Sequence, residues 1–388
     1  MKREQLTARL AGSAAEIGGT RWNVCANPGG TPDCHPFTRH EFFLALEESG
    51  SATAQTGWQP CHLVFEGDGE IEGILPLYLK SHSLGEYVFD HGWADAFERA
   101  GGRYYPKLQG AVPFTPVTGP RLLVAAPSRR EETWRALLST ASRIVDRLGA
   151  SSLHITFMTE PEWTAAAACG FLQRTGQQFH WENRGYSRFE DFLGELSSSR
   201  RKNLRKERAA VREAGISFAW LSGRDITEAH WDAFFDFYIA TGSQKWGTPY
   251  LTREFFSRVG ASMGDSILLV LALRGEEPIA GALNFFGQGG LFGRNWGASE
   301  FVPFLHFETC YYQAIDFAIT KGLGKVEAGA QGPHKLLRGY TPVVTRSAHF
   351  IAHPGLRRAV AAYLGEEREA VANEMSELGD LAPFRKGG

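Results

Sequence analysis

The stretch SILLVLALRGEEPIAGALNFFGQGGLFGRNWGAS, residues 266–299, decides the fold. It holds three apolar runs of strand character, parted by turn signals at 274–277 and 287–290. Runs joined by short Gly-bearing turns read as antiparallel hairpins. FLHFETCYYQAIDFAITKGLG, 304–324, follows with helical character and ends at glycine. KVEAGA (325–330) and TRSAHFIA (345–352) then read as strands.

The first half repeats the order. PFTRHEFFLALEES (36–49) is an amphipathic helix with Phe42 and Leu46 inward. CHLVFEGDGEIEGILPLYLKS (61–81) gives two strands around Gly67-Asp68-Gly69, and EYVFDHGW (86–93) gives a third. A loop-like tract rich in Gly, Pro and aromatics fills 100–124. Residues 129–148 are helical, LHITF (153–157) is a strand, EPEWTAAAACGF (160–171) is a helix and QQFHWEN (177–183) is a strand. No sequence repeat accompanies the repeated pattern. The expectation is an α+β chain of two domains, 1–185 and 186–388, each with a mostly antiparallel central sheet. A length of 388 residues also suits two cores.

Between the halves, SSSRRKNLRKERAAVREAGI (197–216) is a helix over 197–215. Ser197 to Ser199 offer N-caps, and Arg201, Arg205, Arg208 and Arg212 form a basic stripe. The stripe reads either as a solvated face or as a contact for an anion such as a phosphate, a lipid head group or RNA.

A net charge of -2 argues against a generic nucleic-acid coat. Five cysteines with no C-x-x-C pair make neither a disulfide framework nor a standard zinc pattern, so no metal is expected. MKREQLTARLAGSAAEIGG has no apolar core of signal-peptide length, and no apolar run approaches the roughly 20 residues that span a bilayer. The expected location is cytoplasmic, with contact at the inner face of the membrane. G-x-S-x-G, G-x-x-x-x-G-K-[ST], H-E-x-x-H and G-x-G-x-x-G after a strand are missing, which demotes serine hydrolases, P-loop NTPases, zincins and dinucleotide enzymes.

The chemistry-bearing residues gather in the second half. GRNWGAS (293–299) ends a strand with Arg294 and Asn295. His306 and Glu308 lie in the first turns of the next helix, where free N–H groups favour an anion. Cys310 reads as a small buried apolar residue, and Tyr311 as core or substrate wall. Glu327 in an apolar strand needs a partner, for which Lys335 and Arg338 are at hand. The loop GAQGPHKLLRGY (329–340) adds Gln331 and His334 on a Gly/Pro backbone.

These segments resemble the Fem-type N-acyltransferases of the GNAT superfamily, described as peptidoglycan biosynthesis or recognition proteins. HPFTRHEFFLALEESGS, the tract from LPLYLKSHS to TGPRLL, SSSRRKNLRKERAAVREAGI, FGRNWGAS and the run from HFETCYYQ to RGYTP carry the resemblance. It implies two tandem GNAT-like domains and transfer of an acyl group to an amine, with acyl-CoA or an acyl carrier protein thioester as co-substrate and no permanently bound cofactor. No Q-x-x-G-x-G precedes the helix at 303–320. On this reading His306 or His334 is the base, because histidine titrates near neutrality. Glu308 orients it. Lys335, Arg338 and Arg294 grip phosphates, and Asn295, Tyr311, Glu327 and Gln331 complete the binding site. The 27 Phe, 10 Trp and 11 Tyr suit a lipid amine such as a sphingoid base as acceptor, or simply two full cores. The expected partners are a small-molecule or lipid amine and the membrane surface, without DNA. A tRNA-dependent transferase acting on a peptidoglycan precursor and a non-catalytic envelope-binding module are the alternatives.

Overall fold

The computed structural model describes residues 7–31, 33–245, 249–329 and 332–385; Gln331 lies outside them. In chain order the strands are β1 (Thr7–Ala11), β2 (Trp58–Pro60), β3 (His62–Gly67), β4 (Glu70–Leu75), β5 (Leu77–Lys80), β6 (Lys107–Gly110), β7 (Leu123–Val124) and β8 (Ser152–Ile155). They continue as β9 (Leu172–Glu182), β10 (Ile216–Leu221), β11 (Ile267–Arg274), β12 (Glu277–Gly287), β13 (Gly290–Ala298), β14 (Lys325–Glu327) and β15 (Thr341–Ile351).

Two compact units share the chain. One takes the residues up to Gly176 together with Val344–Ala372, the other Gln177–Val343 and the chain from Asn373. The boundary read from sequence, 185/186, thus falls just inside the second unit, and part of the C-terminal half packs with the first.

The first unit has an antiparallel sheet β1-β3-β4-β7 and a second sheet in the order β15-β8-β6-β5-β2. The stretch 61–81 yields three strands rather than two. Pro76 has no N–H to give a ladder, and β4 and β5 on either side of it join different sheets. The core forms where the helix Arg130–Arg147 lays Trp134, Leu137, Leu138, Ala141 and Val145, spaced three and four apart, against Leu63, Leu77, Leu108 and Leu153.

The expected strand at 86–93 is absent. Glu86 and Asp90 turn inward instead, and Lys107 Nζ donates to both at 2.7 and 2.5 Å. The helix His91–Arg99 starts directly after Asp90. Buried carboxylates need such partners, and that demand outweighs the strand preference of Tyr87, Val88 and Phe89.

In the second unit the sheet order is β10-β11-β12-β13-β14-β9, antiparallel except for β13 with β14. β11 is buried over six successive residues, as expected of a strand covered on both faces. Leu268 and Val270 pack with Tyr312, Ile315 and Val326. A Cβ at Gly297 would stand 2.1 Å from the Phe237 carbonyl oxygen, so only glycine lets the helix Glu228–Lys245 approach β13 this closely.

Candidate functional site

The site begins with a split in the second unit's sheet. β13 pairs with β12 from end to end, but with β14 only through Gly290, Leu291 and Phe292. From Gly293 onward no described strand covers that edge. Opposite Asn284 the β12–β13 register shifts, leaving Arg294 as the extra residue of a bulge between Gly293 and Asn295. Bulges bend a strand and re-aim its side chains. Arg294, Asn295 and Trp296 thereby line a pocket with Asn284, His306, Cys310, Tyr311 and Ala328, enclosing about 440 Å³ that includes open solvent.

The helix after the split supplies the facing wall. It starts at Leu305 behind Phe304, whose φ is +65°, and changes to five residues of π-helix, Glu308–Tyr312, before regular turns resume at Gln313. π segments recur at functional sites because the wider turn alters which side chains share a face. Here His306, Cys310 and Tyr311 all reach the pocket. The His306 ring lies 5.2 Å from Trp296, 5.3 Å from Tyr311 and 6.3 Å from His334, centre to centre. His334 Nε2 and the Tyr311 hydroxyl are 2.9 Å apart. Burial pushes the Tyr311 phenol above its ordinary pKa, so the hydroxyl stays protonated and can donate to His334.

Lys335 is 1% exposed, and its Nζ donates to the Gly329 carbonyl at 2.8 Å. Burial pulls its pKa down to about 8. A lysine so placed exchanges its proton near physiological pH, which a surface lysine does not.

Three expected roles change. Arg338 is not available to a phosphate: Nη2 and Nε donate to Glu207 at 2.8 and 3.2 Å, and Nη1 donates to the His334 carbonyl at 2.9 Å. Its guanidinium also lies 3.4 Å over the Phe307 ring. It positions the histidine loop. Glu327 is partnered not by Lys335 or Arg338 but by Lys325, at 2.6 Å, with His180 3.7 Å away. Burial lowers the His180 pKa, against the pull of Glu327. Glu308 accepts from Arg208 at 3.0 Å and from Gln313 at 2.8 Å, and burial raises its pKa. Its other oxygen, Oε2, is buried with no hydrogen-bond partner among the described residues.

The basic helix, Ser198–Glu213, therefore does two jobs. Glu207 and Arg208 face inward: Glu207 accepts from Arg338 and the Tyr312 hydroxyl, and Arg208 binds Glu308 and Asp316. Asn284, Trp296, His180, Lys325 and Glu207 escaped the sequence reading. Of these, Asn284 left the clearest local signal, as a polar residue in the apolar run IAGALNFF (279–286).

Comparison with known proteins then bears on the fold and family. A family model for FemAB-like proteins, peptidoglycan biosynthesis/recognition, matches residues 13–386. No curated protein matches the chain. Among solved structures, FemX is similar with a TM-score of 0.55 at 12% identity, over 89% of this chain and 98% of that one. A tandem GNAT protein from the clavulanic acid biosynthesis pathway is similar with a TM-score of 0.50 at 13% identity, over 90% and 99%. The shared fold is a pair of tandem GNAT-like domains.

Proposed function

The chain belongs to the FemAB-like family and is a transferase of the GNAT/Fem kind, and from this premise we propose that it moves an acyl group from a thioester donor to an amine. The observation that carries the reading is the split between β13 and β14, with a histidine-bearing pocket at its opening. An unpaired strand edge binds extended, amide-bearing chains by adding them as a further strand. The arm that carries a thioester, on coenzyme A or on an acyl carrier protein, is such a chain. Laid along β13 from Gly293, it brings the acyl carbonyl to Arg294, Asn295 and His306.

The chemistry follows from the groups present. His306 takes the proton of the acceptor ammonium and passes it to solvent, then takes the second proton as the amine attacks and hands it to the departing thiolate. The nitrogen attacks the carbonyl carbon, the C–S bond breaks and the thiolate leaves with a proton. Arg294 and Asn295 donate hydrogen bonds to the oxyanion formed on the way. Tyr311 holds His334 in register beside His306, and Lys335 supplies positive charge beneath. Glu308 braces the π segment against the basic helix and has no place in proton transfer. The aromatic walls Trp296 and Tyr311 favour an acceptor with an apolar chain, a lipid amine such as a sphingoid base.

A second reading has its own support. Residues 299–304, SEFVPF, contain no glycine, so the loop lacks the backbone freedom by which glycine-rich turns cradle a pyrophosphate. An aminoacyl-tRNA would then be the donor and a peptidoglycan precursor the acceptor. Thiol release separates the two. With palmitoyl-CoA and a long-chain amine, free thiol is expected to appear only when both are present. His306→Ala should slow it about 100-fold or more, the range of a lost general base. Release that ignores the amine would be hydrolysis and would contradict the transfer, and release missing with intact protein would count for the second reading.

A further inference from the structure

Phe301 is 90% exposed and Phe304 37% exposed, on the loop that leads into the helix of His306. The loop is not loose. The Ser299 amide donates to the Ile279 carbonyl at 2.9 Å, and Val302 packs with Val211, Ile216 and Leu305. Arg274 ties Glu300, at 2.8 Å, to the Ala214 carbonyl, at 3.0 Å, at the end of the basic helix. The two phenylalanines are thus presented next to that helix on a fixed support.

The basic helix carries seven Arg and Lys against two Glu. Arg205 and Arg208 are engaged with carboxylates of the same unit. The side chains of Arg200, Arg201, Lys202, Lys206 and Arg212 make no hydrogen bond or ion pair among the described residues. The loop meets the helix at its C-terminal end, near Arg212, so the exposed pair Phe301 and Phe304 extends a surface that is cationic along the helix.

We propose that this face of the second unit docks on an anionic membrane surface. Phe301 and Phe304 enter the interface while the free cations of the basic helix meet lipid phosphates. Aromatic side chains settle at the headgroup level, and each basic residue near an anionic bilayer strengthens the attraction. Phe301 has almost no protein contact on either face of its ring, which suits insertion rather than the one-sided platform on which nucleic-acid bases stack. Docking in this orientation sets the loop before His306 at the membrane, where a lipid amine resides. The idea rests on the proposed acceptor for its purpose, but its test reads binding without turnover.

The test is sedimentation of the full chain with vesicles of phosphatidylcholine alone and with phosphatidylglycerol added, at about 0.1 M salt. The protein is expected to pellet with the anionic vesicles only. Phe301→Ser, at a site too exposed to matter for folding, should reduce the bound-to-free ratio about fivefold or more. Lys202→Glu with Lys206→Glu should reduce it about tenfold or more, as two reversed charges near the surface would. Wild-type protein left in the supernatant with both vesicle types would overturn the proposal. So would vesicle binding that Phe301→Ser does not alter and that added tRNA abolishes, which would make the face a nucleic-acid surface.

Discussion

At the scale of single residues, Lys335 has the clearest consequence. Its burial holds the pKa near 8, against an ordinary value of 10.5. The unfolded chain then binds the proton more tightly than the folded one. Lys335 therefore costs stability at pH 7, and the cost fades as pH rises from about 8 toward 10.5. Urea denaturation of Lys335→Met should show a gain of roughly 1–3 kcal/mol at pH 7, shrinking by pH 10, while transferase activity falls. A variant no more stable at pH 7 would mean that Lys335 is neutral or better solvated than its burial implies. Residue types were legible in the sequence: Arg294, Asn295, His306 and Tyr311 do line one pocket. Partners were not legible. Glu327 meets Lys325 two positions away on its own strand, and Arg338 meets Glu207 from 131 positions away. An ion pair is chosen by distance in space, and the local pattern around Arg338 contains nothing of Glu207.

Among the elements, the strand split and the π segment make the site, and neither has a sequence signature. A bulge or a π turn shifts register by one residue, which leaves hydrophobic periodicity almost unchanged. The strands 267–298 were legible because their apolar runs and glycine turns are strong, and the strand expected at 86–93 failed because buried ionic partners overrode propensity. Two glycines on β13 separate fold from function. Gly297→Ala should lower stability by about 1–3 kcal/mol, because its Cβ meets backbone rather than a movable side chain. Gly293→Ala meets Asn284 Oδ1 at 3.3 Å and the Glu327 carbonyl at 3.4 Å, so the fold should absorb it with a small change in Tm. The added methyl sits at the split, and the KM for the donor should rise several-fold. Equal effects of both variants on Tm and on KM would show that the split has no special bearing on the donor. Where the basic helix meets the π segment, Arg208→Ala strands the buried Glu308 carboxylate and should cost about 3 kcal/mol. Adding Glu308→Gln should restore most of that loss in thermal melts.

Across the whole molecule, the two units differ in how pH acts on them. The first holds a connected set of buried groups. Lys107 joins Glu86 and Asp90, Tyr104 donates to Asp90 at 2.6 Å, and His154 Nδ1 faces His349 Nδ1 at 2.7 Å. Burial pulls the His154 pKa down to about 3 and that of His349 well below its usual value. Histidines buried neutral make the folded state bind fewer protons than the unfolded, so stability is lost as pH falls below about 6.5. Glu86, raised to about 7 by burial, works in the opposite direction over 4.5 to 7. Elsewhere in the unit, burial also raises the pKa of Glu162 and lowers that of His82, so three histidines stand against two carboxyl groups. The denaturation midpoint should fall between pH 6.5 and pH 4.5, and a rise would show the carboxyl groups to dominate. The tandem arrangement was legible because one order of elements recurs twice; the return of Val344–Ala372 to the first unit was not, since strand order in space follows long-range pairing. The proposed reaction takes place at the open edge of β13. The most direct measurement is mass spectrometry of pure protein incubated with palmitoyl-CoA and sphinganine, in parallel with alanyl-tRNA and the same amine. The account predicts a long-chain amide from the thioester, abolished or nearly so by His306→Ala in protein of unchanged Tm. An amide formed only from the aminoacyl-tRNA, with none from the thioester, would contradict it.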